Sequence, residues 1–191
     1  YVSPLKALAH DVQRNLIAPI EEMGLPIRVE TRSGDTPSDR KKRQRTRPPH
    51  VLLTTPESLS LLLSYPDSFD MFAGLKRVVI DEVHAFATGK RGDLLALALS
   101  RLQAIAPAMQ RAALSATLAN PEGFREWLAP LETGDASEIE AVAMVEGEVG
   151  APAEVEILLP DEERVPWGGH AATWAIPQLY EAIKANRTTL I

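Results

Sequence analysis

Cysteine is absent from the 191 residues. That removes disulfide frameworks, thiolate nucleophiles and Cys-ligated zinc, and it fits a reducing cytoplasm, the compartment expected here. Only four histidines occur, and His10, His50 and His170 have no partner at zinc-binding spacing, so they are expected to be structural or exposed. No window approaches the roughly 18 uninterrupted apolar residues a membrane helix needs. The longest clean stretch, near Leu94 to Ser100, is bounded by Asp93 and Arg101, and a soluble chain with no membrane partner is expected. Net positive charge is lacking too. The formal balance is -6, the wrong sign for binding nucleic acid through a basic surface overall. Finally, no Gly-x-x-x-x-Gly-Lys-Thr/Ser loop is found, because Arg91 follows Gly89-Lys90 and no glycine stands five places before Gly89.

What is present suits one globular α/β unit, or one unit and part of another: 45% of the residues are hydrophobic and 24% charged. Local charge is uneven. Arg40, Lys41, Lys42, Arg43, Arg45 and Arg47 crowd one stretch, read as a solvated helix face or loop, whereas Glu132, Asp135, Glu138, Glu140, Glu146 and Glu148 make the 132–148 region acidic. The chain opens at Tyr1 and closes on the apolar run Thr188-Thr189-Leu190-Ile191, so both ends are expected to continue in a longer protein.

Periodicity gives an alternating pattern. After Ser3-Pro4, apolar residues at Leu5, Leu8, Val12, Leu16 and Ile20 predict a helix with Gly24 as its stop. "PIRVE" reads as a short strand, Thr31 to His50 as a loop with a basic helical piece, and "HVLLTT" as a buried strand running into a helix opened by Pro56. "LKRVVID" and "RAALSAT" are further strands. A helix from Gly92 to Ala106 lies between them, and one capped by Asn120 with Pro121 in its first turn follows. Strands alternating with helices predict a parallel sheet with helices on both faces, whose ligands gather at the carboxyl ends of the strands. Beyond Leu131 an acidic linker leads to "PAEVEILLP" and a helix from about Thr173 to Ala185, read as the start of a second α/β unit. Trp127, Trp167 and Trp174 are assigned to core or domain junctions, with Trp167 also weighed as a stacking platform.

The chemistry concentrates where "VVID" runs into Asp81 and Glu82, with His84 two places on. Adjacent carboxylates are costly without a cation. A strand ending in Asp-Glu supplies what a nucleoside triphosphatase needs: one carboxylate to hold Mg²⁺ beside the phosphates and one to face the attacking water. Ser115 and Thr117 end the next strand, where two hydroxyls can bond both the carboxylate strand end and a neighbouring mobile domain.

The ordered set "YVSPLKALAHDV", "TRSGDT", "LLTTPESLSLLL", "VVIDEVHA", "GKRG" and "LSAT" resembles the DExH-box helicases of superfamily 2, and within them the Lhr (large helicase-related) type. The resemblance is dense from Tyr1 to about Leu128; "VPWGGH" and "NRTTLI" extend it loosely. These motifs leave the Lhr core and the ligase-associated branch undivided. The resemblance implies a RecA-like parallel sheet without its N-terminal P-loop portion, residues 1–131 being a partial first domain and 132–191 a linker and the start of a second. It implies ATP and Mg²⁺ as cofactors and single-stranded DNA as the expected partner, with DNA repair as the setting. By the same implication Asp81 coordinates Mg²⁺, Glu82 orients or activates water, His84 links to the Ser115–Thr117 segment, and those hydroxyls couple hydrolysis to strand movement. Ser3, Pro4, Lys6, Gly34, Asp35, Thr54, Thr55, Pro56 and Glu57 would meet the strand backbone. Lys90 and Arg91 add charge to that path or are surface residues.

Physical sense supports phosphate contact despite the acidic total, since free N–H groups at helix starts after Ser3 and Thr55 suit phosphates. The missing cradle and its lysine are expected upstream of Tyr1 and the charge-stabilising arginines downstream of Ile191, so these residues alone are expected not to hydrolyse ATP. A non-catalytic nucleic-acid-binding module is the competing reading. A Mg²⁺-dependent nuclease is a third, weakened because neighbouring strand ends offer Ser and Thr instead of further carboxylates.

Overall fold

The computed structural model describes residues 1–86, 89–129, 142–147, 155 and 175–189. Residues Tyr1–Met144 form one compact unit and Val145–Ile191 another. The first unit runs α1 (Lys6–Glu22), β1 (Val29–Arg32), α2 (Ser38–Thr46), β2 (Val51–Thr54), α3 (Pro56–Leu63), α4 (Ser68–Phe72), β3 (Arg77–Ile80), a 3-10 turn (Val83–Phe86), α5 (Lys90–Ile105), β4 (Gln110–Ala113) and α6 (Pro121–Leu128).

The local chemistry sets these boundaries. Thr55 Oγ1 accepts from the Ser58 N–H and Asn120 Oδ1 from the Gly123 N–H, each beside a proline in the first helical turn. Gly24 takes φ +61° just past α1, where a left-handed residue turns the chain out of the helix.

β1 pairs in parallel with β2, and β3 with β4. The segment Tyr1–Ser3 lies between the two pairs, with Val2 bridging Thr54 and Ile80, both in parallel. Val2 N donates to Val79 O at 2.8 Å, and Asp81 N to Val2 O at 2.9 Å. On the other side Thr54 N donates to Tyr1 O at 2.9 Å and Ser3 N to Thr54 O at 3.0 Å. All five segments therefore run the same way, and their carboxyl ends share one edge.

Burial drives this arrangement. Val2, Val78 and Ile80 pack against Leu59, Leu62 and Leu63 of α3 and Leu95, Leu99 and Leu102 of α5, each buried side chain contributing about 1.5–3 kcal/mol. Helix α1 lies against β1 and β2, and α6 against β4. The core unit reaches beyond Leu131, since Arg125 Nε donates to Val142 O at 2.9 Å and Val142 packs on the core.

Two sequence expectations shift. β1 is Val29–Arg32 rather than "PIRVE", because its buried residues are Glu30, Thr31 and Arg32, which hydropathy does not mark as a strand. The basic run is not merely a solvated face. Gln44 of α2 is fully buried, donating to Glu30 Oε2 and Thr31 O at 3.0 Å each, while Arg43 reaches the same Glu30 oxygen at 3.0 Å and Arg45 pairs with Asp67 at 3.0 Å.

In the second unit α7 spans Ile176–Ala185 with Pro177 in its first turn. The "PAEVEILLP" strand expectation, apart from Val155, and the placements of Trp167, His170, Trp174 and Leu190-Ile191 lie outside the described residues. Among the described residues, no helix is long and apolar enough to cross a membrane.

Candidate functional site

The carboxylates sit where β3 leaves the sheet. Glu82 adopts φ +49°, a left-handed backbone that costs a non-glycine residue about 1–2 kcal/mol. Asp81 helps hold that turn by accepting the Glu82 N–H at Oδ1, 3.0 Å away. The other oxygen, Oδ2, accepts the Tyr1 hydroxyl at 2.5 Å from the adjacent central segment. Burial, then the bond to Asp81 and the charges of Asp81 and Glu82, push the Tyr1 hydroxyl well above the ordinary tyrosine range. It therefore stays a neutral donor beside two carboxylates.

The chain then curls back to β4. Val83 N donates to Leu114 O at 3.0 Å, bringing His84 Nδ1 to 2.8 Å from Ser115 Oγ and 3.3 Å from Glu82 Oε2. Ser115 Oγ donates to Thr117 O at 2.8 Å and accepts the Thr117 N–H at 3.3 Å. With a hydrogen on His84 Nδ1, that N–H serves the acceptor-only Glu82 carboxylate and Ser115 Oγ together, which fits this set of bonds.

The donor set suits Mg²⁺. It takes hard oxygen ligands, usually one or two carboxylates with waters and phosphate oxygens completing its shell. The oxygens of Asp81 each have a lone pair beyond the bonds already made, and Glu82 is half-exposed beside them. Among the described residues, no group of three His, Cys, Asp or Glu is gathered to hold an ion; an Mg²⁺ held by these two carboxylates would draw its other ligands from phosphates and water.

The residues expected to meet a strand divide into two sets. Ser3, Pro4, Thr54, Thr55 and Pro56 are buried, and three of their side chains are occupied: Ser3 Oγ bonds Leu5 O, Thr54 Oγ1 bonds Arg32 O, and Thr55 caps α3. They shape the strand ends, Pro4 and Pro56 having no N–H and the N–H groups of Ser3 and Thr54 being bonded within the sheet; Leu5, at the start of α1, gives no side-chain cap to that helix. Lys6, Gly34, Asp35, Glu57, Lys90 and Arg91 are exposed. Lys6 Nζ meets Asp35 Oδ2 at 2.6 Å, and that bond together with the lysine charge holds the Asp35 carboxyl below its usual range. Lys41 Nζ donates to Gly34 O at 2.8 Å. Arg91 pairs with Glu57 at 2.6 Å and donates to Pro4 O at 2.9 Å. Burial raises the Glu57 carboxyl, but the Arg91 bond and charge, with a backbone and a Thr55 bond, outweigh it and hold the group low.

Tyr1 was invisible to spacing as a participant, and so was the bond that the expected residue Arg91 makes to Pro4. Tyr1 reaches Asp81 across 80 residues, and Arg91 reaches Pro4 across 87. Only the adjacency of the first segment to β3, and the packing of α5 on the turn after it, bring them in.

The model of the DEAD/DEAH box helicases matches residues 1–124. The chain belongs to that family. It is 35% identical over 201 residues to the ATP-dependent helicase Lhr-Core of Methanothermobacter thermautotrophicus, taking in 100% of this chain and 23% of the relative. Among solved structures, helicase Lhr of Mycobacterium smegmatis bound to ssDNA and AMP-PNP aligns with a TM-score of 0.62 and 46% identity, covering 68% of this chain and 18% of that one. The DUF1998 helicase MrfA bound to DNA and AMPPNP aligns with a TM-score of 0.59 and 31% identity, over 67% of this chain and 19% of that one. The sheet is thus the RecA-like parallel sheet of these helicases, and the similarity within the family is to the Lhr type. The chain spans less than a quarter of the length of each of these proteins.

Proposed function

We propose that this chain is part of an ATP-dependent helicase or translocase that couples ATP hydrolysis to movement along single-stranded DNA, with DNA repair as its setting. The observation that carries the reading is the bonded path from Asp81 and Glu82 through His84 to Ser115, joining the carboxylate strand end to the end of the next strand. Relatives solved with AMP-PNP together with ssDNA or DNA support it. In this reading residues 1–131 are a partial first RecA-like domain, and 132–191 a linker and the beginning of a second.

Asp81 would hold Mg²⁺, which when bound would supply charge neutralisation at the phosphates, and Glu82 accepts the proton of the attacking water. Tyr1 fixes Asp81 by donating its hydroxyl to Oδ2. His84, with its Nδ1 proton shared between Glu82 and Ser115, carries a change at Glu82 to Ser115 and Thr117. The reading needs a phosphate cradle from another strand. The DNA backbone lies across the helix starts after Pro4 and Thr55 and beside Lys6, contacts without sequence preference.

The test is ATP hydrolysis by the full-length protein carrying this chain, with and without single-stranded DNA, for the native protein and Glu82→Gln. Stimulation that vanishes in the variant supports the reading. Absent hydrolysis, or equal hydrolysis by the variant, transfers the case to a non-catalytic binding module.

A further inference from the structure

We infer that Arg91 is a positioning residue that ties the two helix starts of the strand-binding edge to the turn after the carboxylates, and is not itself a phosphate ligand. The inference rests on the proposed reading of that edge and adds to it how the edge is joined to the hydrolytic end. The Arg91 guanidinium makes three bonds. Nε donates to Glu57 Oε1 at 2.6 Å, while Nη2 donates to Glu57 Oε2 at 3.4 Å and to Pro4 O at 2.9 Å. Glu57 is in the first turn of α3 and Pro4 stands immediately before the start of α1. One planar side chain therefore spans both.

The other end of the link is rigid. Arg91 and Gly92 lie in the first turn of α5, and a Cβ added to Gly92 would come 2.1 Å from Phe86 O. Phe86 is buried and closes the 3-10 turn that begins one residue after Glu82. The start of α5 is thus seated directly on that turn, and the Arg91 guanidinium carbon also lies 5.7 Å from the Phe86 ring. A movement of the turn at Glu82 has to displace the start of α5, and with it Pro4 and Glu57. Stability is a poor explanation for the contact. The side chains of Arg91 and Glu57 are 44% and 52% exposed, and such pairs contribute only about 0–1 kcal/mol. What the planar fork supplies is geometry, which lysine cannot reproduce.

The experiment uses the full-length protein and Arg91→Lys, Arg91→Ala, Glu57→Gln and the Arg91→Lys/Glu57→Gln double variant. It measures the fold-stimulation of ATP hydrolysis by a single-stranded DNA oligonucleotide and the salt dependence of binding that oligonucleotide. Arg91→Lys keeps the charge, yet stimulation falls about tenfold. Glu57→Gln reproduces that loss, the double variant loses no more, and the salt slope stays native. The inference is overturned if Arg91→Ala lowers the salt slope by about one while Arg91→Lys restores it, the mark of a phosphate contact. Native stimulation in every variant overturns it as well. Failure of the underlying reading is seen separately, as native protein that no strand stimulates.

Discussion

His84 Nδ1 stands 2.8 Å from Ser115 Oγ and 3.3 Å from Glu82 Oε2, so one imidazole joins the ends of β3 and β4. Ser115 in turn holds the turn to Thr117 from both sides. Replacing Ser115 with Ala removes the central acceptor and leaves His84 bonded to Glu82 alone. Duplex unwinding by the full-length protein is expected to fall about tenfold more than its ATP hydrolysis. Parallel assays of strand displacement and phosphate release check the split; equal losses would assign Ser115 to hydrolysis alone.

Glu82→Gln keeps the side chain's size and removes its basicity. Hydrolysis is expected to fall by about 10²–10⁴-fold, the usual contribution of a positioned base, while nucleotide binding persists. Steady-state phosphate release and titration with a fluorescent nucleotide separate the two quantities.

Tyr1→Phe deletes the hydroxyl that Asp81 Oδ2 accepts and leaves the ring. Losing an outer-sphere partner of a metal-holding group costs about 10–100-fold in metal affinity. Half-saturation of hydrolysis by Mg²⁺ is expected to move to a concentration at least about tenfold higher. A Mg²⁺ titration at fixed ATP decides it, and an unchanged midpoint would make the bond incidental.

Gly92→Ala reverses the sign that helix propensity gives. In a helix interior alanine gains about 1 kcal/mol over glycine, but here the new methyl meets Phe86 O at 2.1 Å. Displacing a backbone carbonyl costs about 1–3 kcal/mol, so net destabilisation is expected. Faster amide hydrogen exchange across residues 83–86, followed by mass spectrometry, is the readout.

Glu30 gives a pH dependence with a definite sign. Burial raises its carboxyl, but the bonds from Gln44 and Arg43, with the Arg43 and Arg40 charges, hold it below the usual range. A group depressed on folding contributes stability above its unfolded pKa and loses it as pH falls through the folded value. The stability advantage of native protein over Glu30→Gln should be constant above about pH 5 and shrink below the ordinary glutamate value of about 4.3. Denaturant midpoints for both proteins across that window test it.

The sequence by itself determined the alternation of strands and helices, the helix starts at Pro56 and Pro121, the stop at Gly24 and the carboxylate pair at a strand end. Each of these is written in a few neighbouring residues, through periodicity, capping or backbone freedom. It also carried the family, because the ordered motifs survive as local words. Tertiary structure alone decided which strand ends lie side by side. Val2 slots between Thr54 and Ile80, and that placement brings the Tyr1 hydroxyl to Asp81. It likewise pinned the basic helix to the core through the buried Gln44 and Glu30, where hydropathy saw only solvent. And it placed Ser3, Thr54 and Thr55, expected to meet a strand, in the interior, with the N–H groups of Ser3 and Thr54 bonded within the sheet. Pairing across 80 residues depends on which surfaces bury together, and neither the period nor the composition of a short segment encodes that.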